Sequence, residues 1–232
     1  VFKRISDNLP DGFLGINIGP NKDTINKEED FYSCLKKISP HAGYITINIS
    51  SPNTEGLRDF HDQKELEKLL KGITKIKKDY KLTKPLVVKL SPDIDDSEIG
   101  KIIDCIIKYG ISGIIISNTT EINRENLNDT KKNEEGGLSG QPLRDRSTKL
   151  IKKFYSEIKG KVKIIGVGGV DSGQAAFEKI SAGANAVQLY TGMVYKGPGV
   201  VKDIKKDLIS ILKKEKLKNI VDAVGINAWP IY

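Results

Sequence analysis

Residues 44–57, Tyr-Ile-Thr-Ile-Asn-Ile-Ser-Ser-Pro-Asn-Thr-Glu-Gly-Leu, place carboxamides at Asn48 and Asn53 and a hydroxyl at Ser51. A carboxamide carries donors and an acceptor on one flat group, so several together suit a planar ligand dense in amides and carbonyls. A serine hydroxyl is a poor base at its free pKa and works as one only when its surroundings activate it. The plain alternative is a turn around Pro52, which Ser51, Asn53 and Gly56 would form equally well. Lys89, within Pro-Leu-Val-Val-Lys-Leu-Ser at 85–91, is harder to read plainly. A lysine buried in an apolar strand is costly unless it is paired or used. Further along, Ile-Ile-Gly-Val-Gly-Gly at 164–169 runs through Val170 and Asp171 to Ser172 at a helix start. Bare glycines let backbone N–H groups approach a phosphate, and the helix dipole favours its charge. The same glycines would also serve a tight turn. The next strand ends Gln188-Leu189-Tyr190-Thr191-Gly192, with further backbone donors and a hydroxyl at the same rim. Cys34 and Cys105 make neither a metal pair nor a disulfide framework, and no metal site is expected.

These groups need strands to hold them. In 44–50, Ile45, Ile47 and Ile49 alternate with Thr46, Asn48 and Ser50, which predicts a strand with an apolar face and a small polar one. The same alternation predicts a strand over 12–19, with Leu14, Ile16 and Ile18 opposite Asn17, and one over 85–91, with Leu86, Val88 and Leu90 opposite Lys89. Buried strands are predicted at 113–120, 163–168 and 186–191. Between them, helical spacing predicts helices over 28–38, 64–80, 147–158, 172–182 and 199–213, and one that Ser97 caps and Gly110 ends. A long Asn-, Lys-, Glu- and Gly-rich connection, 121–145, separates the fourth strand from its helix, and loops of that size are usually functional or mobile. A short helix and a tail containing Trp229, to which no function is assigned, close the chain.

Strict β/α alternation argues for a parallel sheet with outer helices. A doubly wound sheet, covered on both faces, would want continuous apolar strands. Polar residues at Asn17, Asn48 and Lys89, near the carboxyl ends of their strands, instead suit a (β/α)8 barrel with its site at that mouth. Barrels commonly hold phosphate in the loops after strands seven and eight. On that convention the six β/α units are strands three to eight, residues 1–232 form an incomplete barrel domain, and the chain is expected to be the carboxyl-terminal portion of a longer protein.

The 232 residues are 38% hydrophobic, enough for a sizeable core, and no window is apolar enough to span a bilayer. Thirty-eight Lys and Arg against 30 Asp and Glu leave a formal charge of +8. The lysines are scattered along helices beside acids and without interleaved aromatics, so solvated helix faces are favoured over a nucleic-acid tract. Cys34 and Cys105 fall at apolar helix positions and read as small buried residues.

Six motifs in order give the chain a family likeness. Asn-Ile-Ser-Ser-Pro-Asn-Thr at 48–54 with Gly56-Leu57-Arg58, Val-Val-Lys-Leu-Ser-Pro at 87–92, Ser-Asn-Thr-Thr at 117–120, Gly-Gly-Leu-Ser-Gly-Gln-Pro-Leu at 136–143, Gly-Val-Gly-Gly-Val at 166–170 and Gln-Leu-Tyr-Thr-Gly at 188–192 resemble dihydroorotate dehydrogenase. The resemblance is to the class 2, quinone-dependent form and covers about 15–225. It implies an FMN barrel, an oxidoreductase acting on a CH–CH group, that converts dihydroorotate to orotate in pyrimidine biosynthesis. By that resemblance Ser51 is the base, where class 1 enzymes carry Cys. Asn48, Asn53, Asn118 and Thr119 would bind the pyrimidine. Asn17, Asn48, Lys89 and Ser117 would line the flavin ring and ribityl chain, and Gly140, Gly168, Gly169, Tyr190 and Thr191 would seat the phosphate. Lys89 would supply the positive charge that stabilises reduced flavin.

The resemblance further implies a quinone acceptor and a peripheral place on the mitochondrial inner membrane, through an amino-terminal region that this sequence does not include. The family's first strand and its substrate loop are likewise not in the sequence. Other readings are a class 1-like enzyme, disfavoured by Ser51, an RNA-modifying flavin barrel, disfavoured by the spread of the lysines, and a non-catalytic scaffold.

Overall fold

The structure, a computed structural model, describes residues 2–8, 10–122 and 124–228. Trp229 lies outside the described residues. Six strands follow one another in a single sheet in chain order, β1 to β6, the order of consecutive β/α units. The described chain divides into two compact units, residues 1–90 with 95–114, and 91–94 with 115–232.

The first unit opens with a short helix, α1 (Phe2–Asp7), on which none of the sequence signals bore. It is followed by β1 (Gly15–Ile18), α2 (Lys27–Ile38), β2 (Tyr44–Asn48), α3 (Gln63–Asp79), β3 (Leu86–Leu90) and α4 (Asp96–Lys108). β1 starts at Gly15 and not Gly12. The three strands pair in parallel, with Asn17 beside Thr46 and Asn48 beside Lys89. Residues in register on neighbouring strands share a face. Asn17, Thr46, Asn48 and Lys89 therefore stand on one face, and Ile16, Ile18, Ile45, Ile47, Val88 and Leu90 on the other. The apolar face is fully buried, with Ile45, Ile47, Val88 and Leu90 all at 0% exposure.

The helices supply the matching apolar stripes. α3 buries Leu66, Leu69, Leu70, Ile73 and Ile76 at helical spacing and packs against both α2 and α4. Full burial of each such side chain contributes about 1.5–3 kcal/mol. Asp62 caps α3, accepting from the Lys64 and Glu65 amides. At α4 the cap is Asp95 and not Ser97: its carboxylate accepts from the Ser97 amide and hydroxyl. A carboxylate two residues earlier satisfies a free amide of the first turn and also suits the helix dipole, so it takes the role expected of the serine.

β4 (Gly113–Ile116) is buried throughout and is shared between the units. The second unit continues with α5 (Arg144–Ile158), β5 (Lys163–Gly166), α6 (Gly173–Ser181), β6 (Ala186–Val187), α7 (Thr191–Lys196) and α8 (Val200–Lys214). β6 is far shorter than 186–191. The chain leaves the sheet after Val187, and Thr191 opens a helix instead of ending a strand. The core of this unit forms where α6 meets α8, around Val170, Ala176, Val200 and Ile204, and continues through Phe177, Ile180 and Ala223. The 121–145 connection is less open than its composition suggests. Thr120 and Leu138 exchange both backbone hydrogen bonds at its base, and the Arg124 guanidinium donates to the carbonyls of Lys132, Glu134 and Gly136. Of the two cysteines, Cys105 is buried as expected, whereas Cys34 is only half-buried.

Candidate functional site

In the first unit, the candidate groups gather at the carboxyl ends of β2 and β3. Asn48 and Lys89 are register partners, and Asn17 shares their face two residues lower on β1. Burial holds the Lys89 ammonium below the ordinary lysine value. The Asn48 carboxamide oxygen accepts from both the amide and the hydroxyl of Ser50, at 3.3 and 2.9 Å, which fixes the direction of the whole side chain. Just past the strand, Ser51 Oγ accepts from the Asn53 amide at 3.2 Å. Ser51 is half-buried and Asn53 exposed. This turn is held from behind: Arg58 Nε donates to the Ser50 carbonyl at 3.3 Å, and His61 Nδ1 lies 2.8 Å from the Arg58 carbonyl. His61 ends a short 3-10 helix, Arg58–His61. Its imidazole is pushed down to about 4 by burial and is neutral at neutral pH.

In the second unit, the glycine residues meet. Gly140, Gly168 and Gly169 have φ of +79°, +112° and +71°, in the region that disfavours side chains. The space around them is also closed: a Cβ on Gly169 would lie 2.7 Å from Arg144 Cβ and 2.9 Å from the Gly140 carbonyl oxygen. Gly140, Gly169, Thr191, Gly192 and Lys196 line a cavity of about 710 Å³ that extends along the 124–138 stretch. Its size is that of an ordinary small-molecule site. Thr191 Oγ1 donates to Ser139 Oγ at 2.9 Å, joining the start of α7 to the segment that carries Gly140 at the cavity wall.

Behind the 168–169 turn stands a charged cluster that the sequence reading did not single out. Arg144 donates to the Gly169 carbonyl at 3.1 Å and to Asp171 at 2.5 Å, and Gln141 donates to the same carboxylate at 2.7 Å. Lys196 donates to the Asp171 carbonyl at 2.9 Å. Burial pushes the Asp171 carboxyl up, but the Gln141 amide, the Arg144 guanidinium and the Lys196 ammonium outweigh it, and its pKa lies below the ordinary value.

The remaining predicted residues occupy the end of β4 and the turn after β6. Ser117 is buried, its amide donates to the Val167 carbonyl at 3.1 Å and its hydroxyl to the Asn118 carbonyl at 3.0 Å. The Asn118 carboxamide oxygen accepts from the Thr119 amide at 2.8 Å. Thr120 Oγ1 and the Glu121 amide both donate to Asp93, at 2.6 and 3.1 Å, so the polar end of β4 is tied down by the turn after β3. Tyr190 projects outward at 79% exposure.

Comparison with known proteins agrees with the six motifs. The family model described as dihydroorotate dehydrogenase matches residues 2–212. The dihydroorotate dehydrogenase (quinone) of Idiomarina loihiensis is 42% identical over 214 residues, covering 90% of this chain and 64% of that protein. That of Vibrio atlanticus is 47% identical over 205 residues, covering 85% and 61%. The chain thus spans less than two thirds of the length of these curated relatives. Among solved structures, DHODH from Eimeria tenella in complex with ferulenol superposes with a TM-score of 0.91 at 35% identity, covering 99% of this chain and 67% of that one. Six strands in the order of a TIM-type barrel, a glycine cradle after β5 and a match along nearly the whole length leave one conclusion: the chain belongs to the dihydroorotate dehydrogenase family.

Proposed function

We propose that this chain is the FMN-binding part of an oxidoreductase that oxidises dihydroorotate to orotate in pyrimidine biosynthesis, with a quinone as the final acceptor. The observation that carries the proposal is the cradle of Gly140, Gly168 and Gly169, where no side chain fits, beside a cavity also lined by Thr191. Bare glycine backbone at the wall of a cavity, as at Gly140 and Gly169, suits a phosphate, and the adjoining volume suits the chain that bears it. In this reading Gly140, Gly168, Gly169, Thr191 and the main chain of Tyr190 seat the ribityl phosphate. Asn17, Asn48, Lys89 and Ser117 face the flavin ring and ribityl chain, and Asn48, Asn53, Asn118 and Thr119 hydrogen-bond the pyrimidine. When bound, FMN supplies the acceptor for the hydride leaving the substrate.

The chain's own part is to orient the substrate and remove a proton. Ser51 Oγ takes the proton from the CH–CH unit of the ring after passing its own proton to solvent, and the Asn53 amide that already donates to this oxygen stabilises the alkoxide that acts as the base. Ser50 holds Asn48 in one orientation through its carboxamide oxygen, which preorganises this side chain for the substrate ring. No described helix is long and apolar enough to cross a membrane. We assign the membrane contact that a lipid-soluble quinone requires to a region outside these residues. The two curated relatives named above are bacterial, and fractionation of the source cell tests the proposed peripheral placement at the mitochondrial inner membrane.

Two measurements test the function. The purified protein should show flavin absorption bands, and a colourless protein that takes up no FMN would refute it. Ser51→Ala should retain FMN while dihydroorotate oxidation at neutral pH falls by at least a hundredfold, in line with the loss of a general base. Turnover at the unsubstituted rate would remove Ser51 from that role.

A further inference from the structure

Lys179 is the one lysine of α6 and is completely buried, at 0% exposure, whereas the lysines of the adjoining α8 are exposed. Its ammonium reaches three oxygens on the first turn of α5: the Arg144 carbonyl at 3.4 Å and the hydroxyls of Ser147 and Thr148, both at 3.1 Å. Neither hydroxyl has its proton to spare. Ser147 Oγ donates to the Val167 carbonyl at 2.5 Å and Thr148 Oγ1 to the Arg144 carbonyl at 2.9 Å. Each hydroxyl must therefore accept from Lys179, and three acceptors match the three donors of a charged ammonium. Burial, with the Arg144 guanidinium next, pushes this lysine down to about 7, while Glu178 and Asp145 act the other way. A buried cation bonded to three neutral oxygens is expensive to keep, and such a group persists where something else uses its charge or its geometry.

What the lysine steadies is the turn that carries the glycine cradle. Val167, whose carbonyl takes the Ser147 hydroxyl, immediately precedes Gly168 and Gly169, and the same carbonyl takes the Ser117 amide. Arg144, whose carbonyl Lys179 holds, grips the Gly169 carbonyl with its side chain. The first turn of α5 lies so close that a Cβ on Gly168 would meet Leu143 at 3.0 Å and Ser147 Cβ at 3.2 Å. We infer that Lys179 is a positioning residue for phosphate recognition: through Ser147 and Arg144 it fixes the 167–169 backbone, and its ammonium supplies a buried positive charge behind the anion seated on that turn. This role rests on the proposed function, since it presumes that the cradle takes the phosphate of FMN. Lys179 touches no ligand atom and acts through the α5 turn.

The phosphate's share of binding is read by comparing FMN with riboflavin, which lacks only that group. Dissociation constants for both are measured by fluorescence titration of the holoprotein stripped of its flavin. In Lys179→Met the preference for FMN over riboflavin should fall by at least tenfold, with riboflavin affinity little changed. Ser147→Ala, a smaller change that leaves the lysine in place, should lower the same preference, and the double variant should lose no more than the larger single effect. If the unsubstituted protein binds FMN but both variants keep its full preference, the role of Lys179 is overturned and the flavin reading stands. If the unsubstituted protein binds FMN no better than riboflavin, the cradle is not a phosphate site and both readings fall.

Discussion

The Lys89 side chain is half-buried at the end of β3, beside Asn48 in the sheet register, and burial alone lowers its pKa. A charge so placed costs free energy in the empty protein and returns it when an electron-rich ligand arrives. Hydrogen bonds from charged donors contribute about 1.5–3 kcal/mol, so Lys89→Met should weaken FMN binding by roughly tenfold to a hundredfold. The same substitution should leave the flavin-free protein as stable as before, because a desolvated ammonium has been exchanged for a side chain of similar length that prefers burial. Flavin titration and urea unfolding, done on one preparation, separate the two effects. A variant that holds FMN like the unsubstituted protein would take Lys89 out of the site. Lys179 differs from it in kind: three hydrogen bonds commit its ammonium to the scaffold, so its substitution acts on backbone geometry.

The turn between β5 and α6 is the element on which the cradle depends. Gly169 has φ of +71° and its Cβ position is taken by Arg144 Cβ and by the Gly140 oxygen, both of them parts of a packed turn with no flexible end to move aside. Gly169→Ala therefore meets an unfavourable backbone region, about 1 kcal/mol, and a steric overlap that overpacked sites usually price at about 1–3 kcal/mol more. Urea unfolding should show a loss of roughly 2–4 kcal/mol, and an alanine variant of unchanged stability would mean that the two glycine segments can separate freely. This same stretch shows where sequence was informative. Glycines after an apolar strand, followed by Ser172, which does cap α6, spelled out strand, turn and helix without tertiary knowledge. The polar face of β1, β2 and β3 was legible for the same reason, because a period of two survives in the register of Asn17, Asn48 and Lys89. Two things were not legible. β6 stops at Val187 because the chain turns into α7, and nothing in Gln-Leu-Tyr-Thr-Gly distinguishes a strand end from a helix start. Lys179 reads like any helix lysine, since its burial is decided by hydroxyls on α5 more than thirty residues earlier in the chain.

At the scale of the whole molecule, the formal charge of +8 at pH 7 grows as acid protonates the carboxylates, and self-repulsion rises with it. One group makes this acid limb steeper. His61 is 9% exposed and its imidazole is pushed down to about 4 by burial, against 6.5 for the ordinary residue. The unfolded chain therefore binds a proton at pH values where the folded chain does not, and stability must fall as pH drops from about 6.5 toward 4. At 1.36 kcal/mol per pKa unit, the difference amounts to about 3 kcal/mol once both states are protonated. His61→Gln has no such proton to bind. It may be compared with the unsubstituted protein by urea titration at a series of pH values: above pH 7 the two curves should run parallel, whatever their offset, and below it the unsubstituted protein should lose the extra stability. Because carboxylates titrate identically in both proteins, general acid unfolding cancels from the difference. Parallel curves down to pH 4 would show that the imidazole is protonated as readily in the fold as out of it, and that the Arg58 carbonyl holds a histidine cation beneath the Ser51 turn.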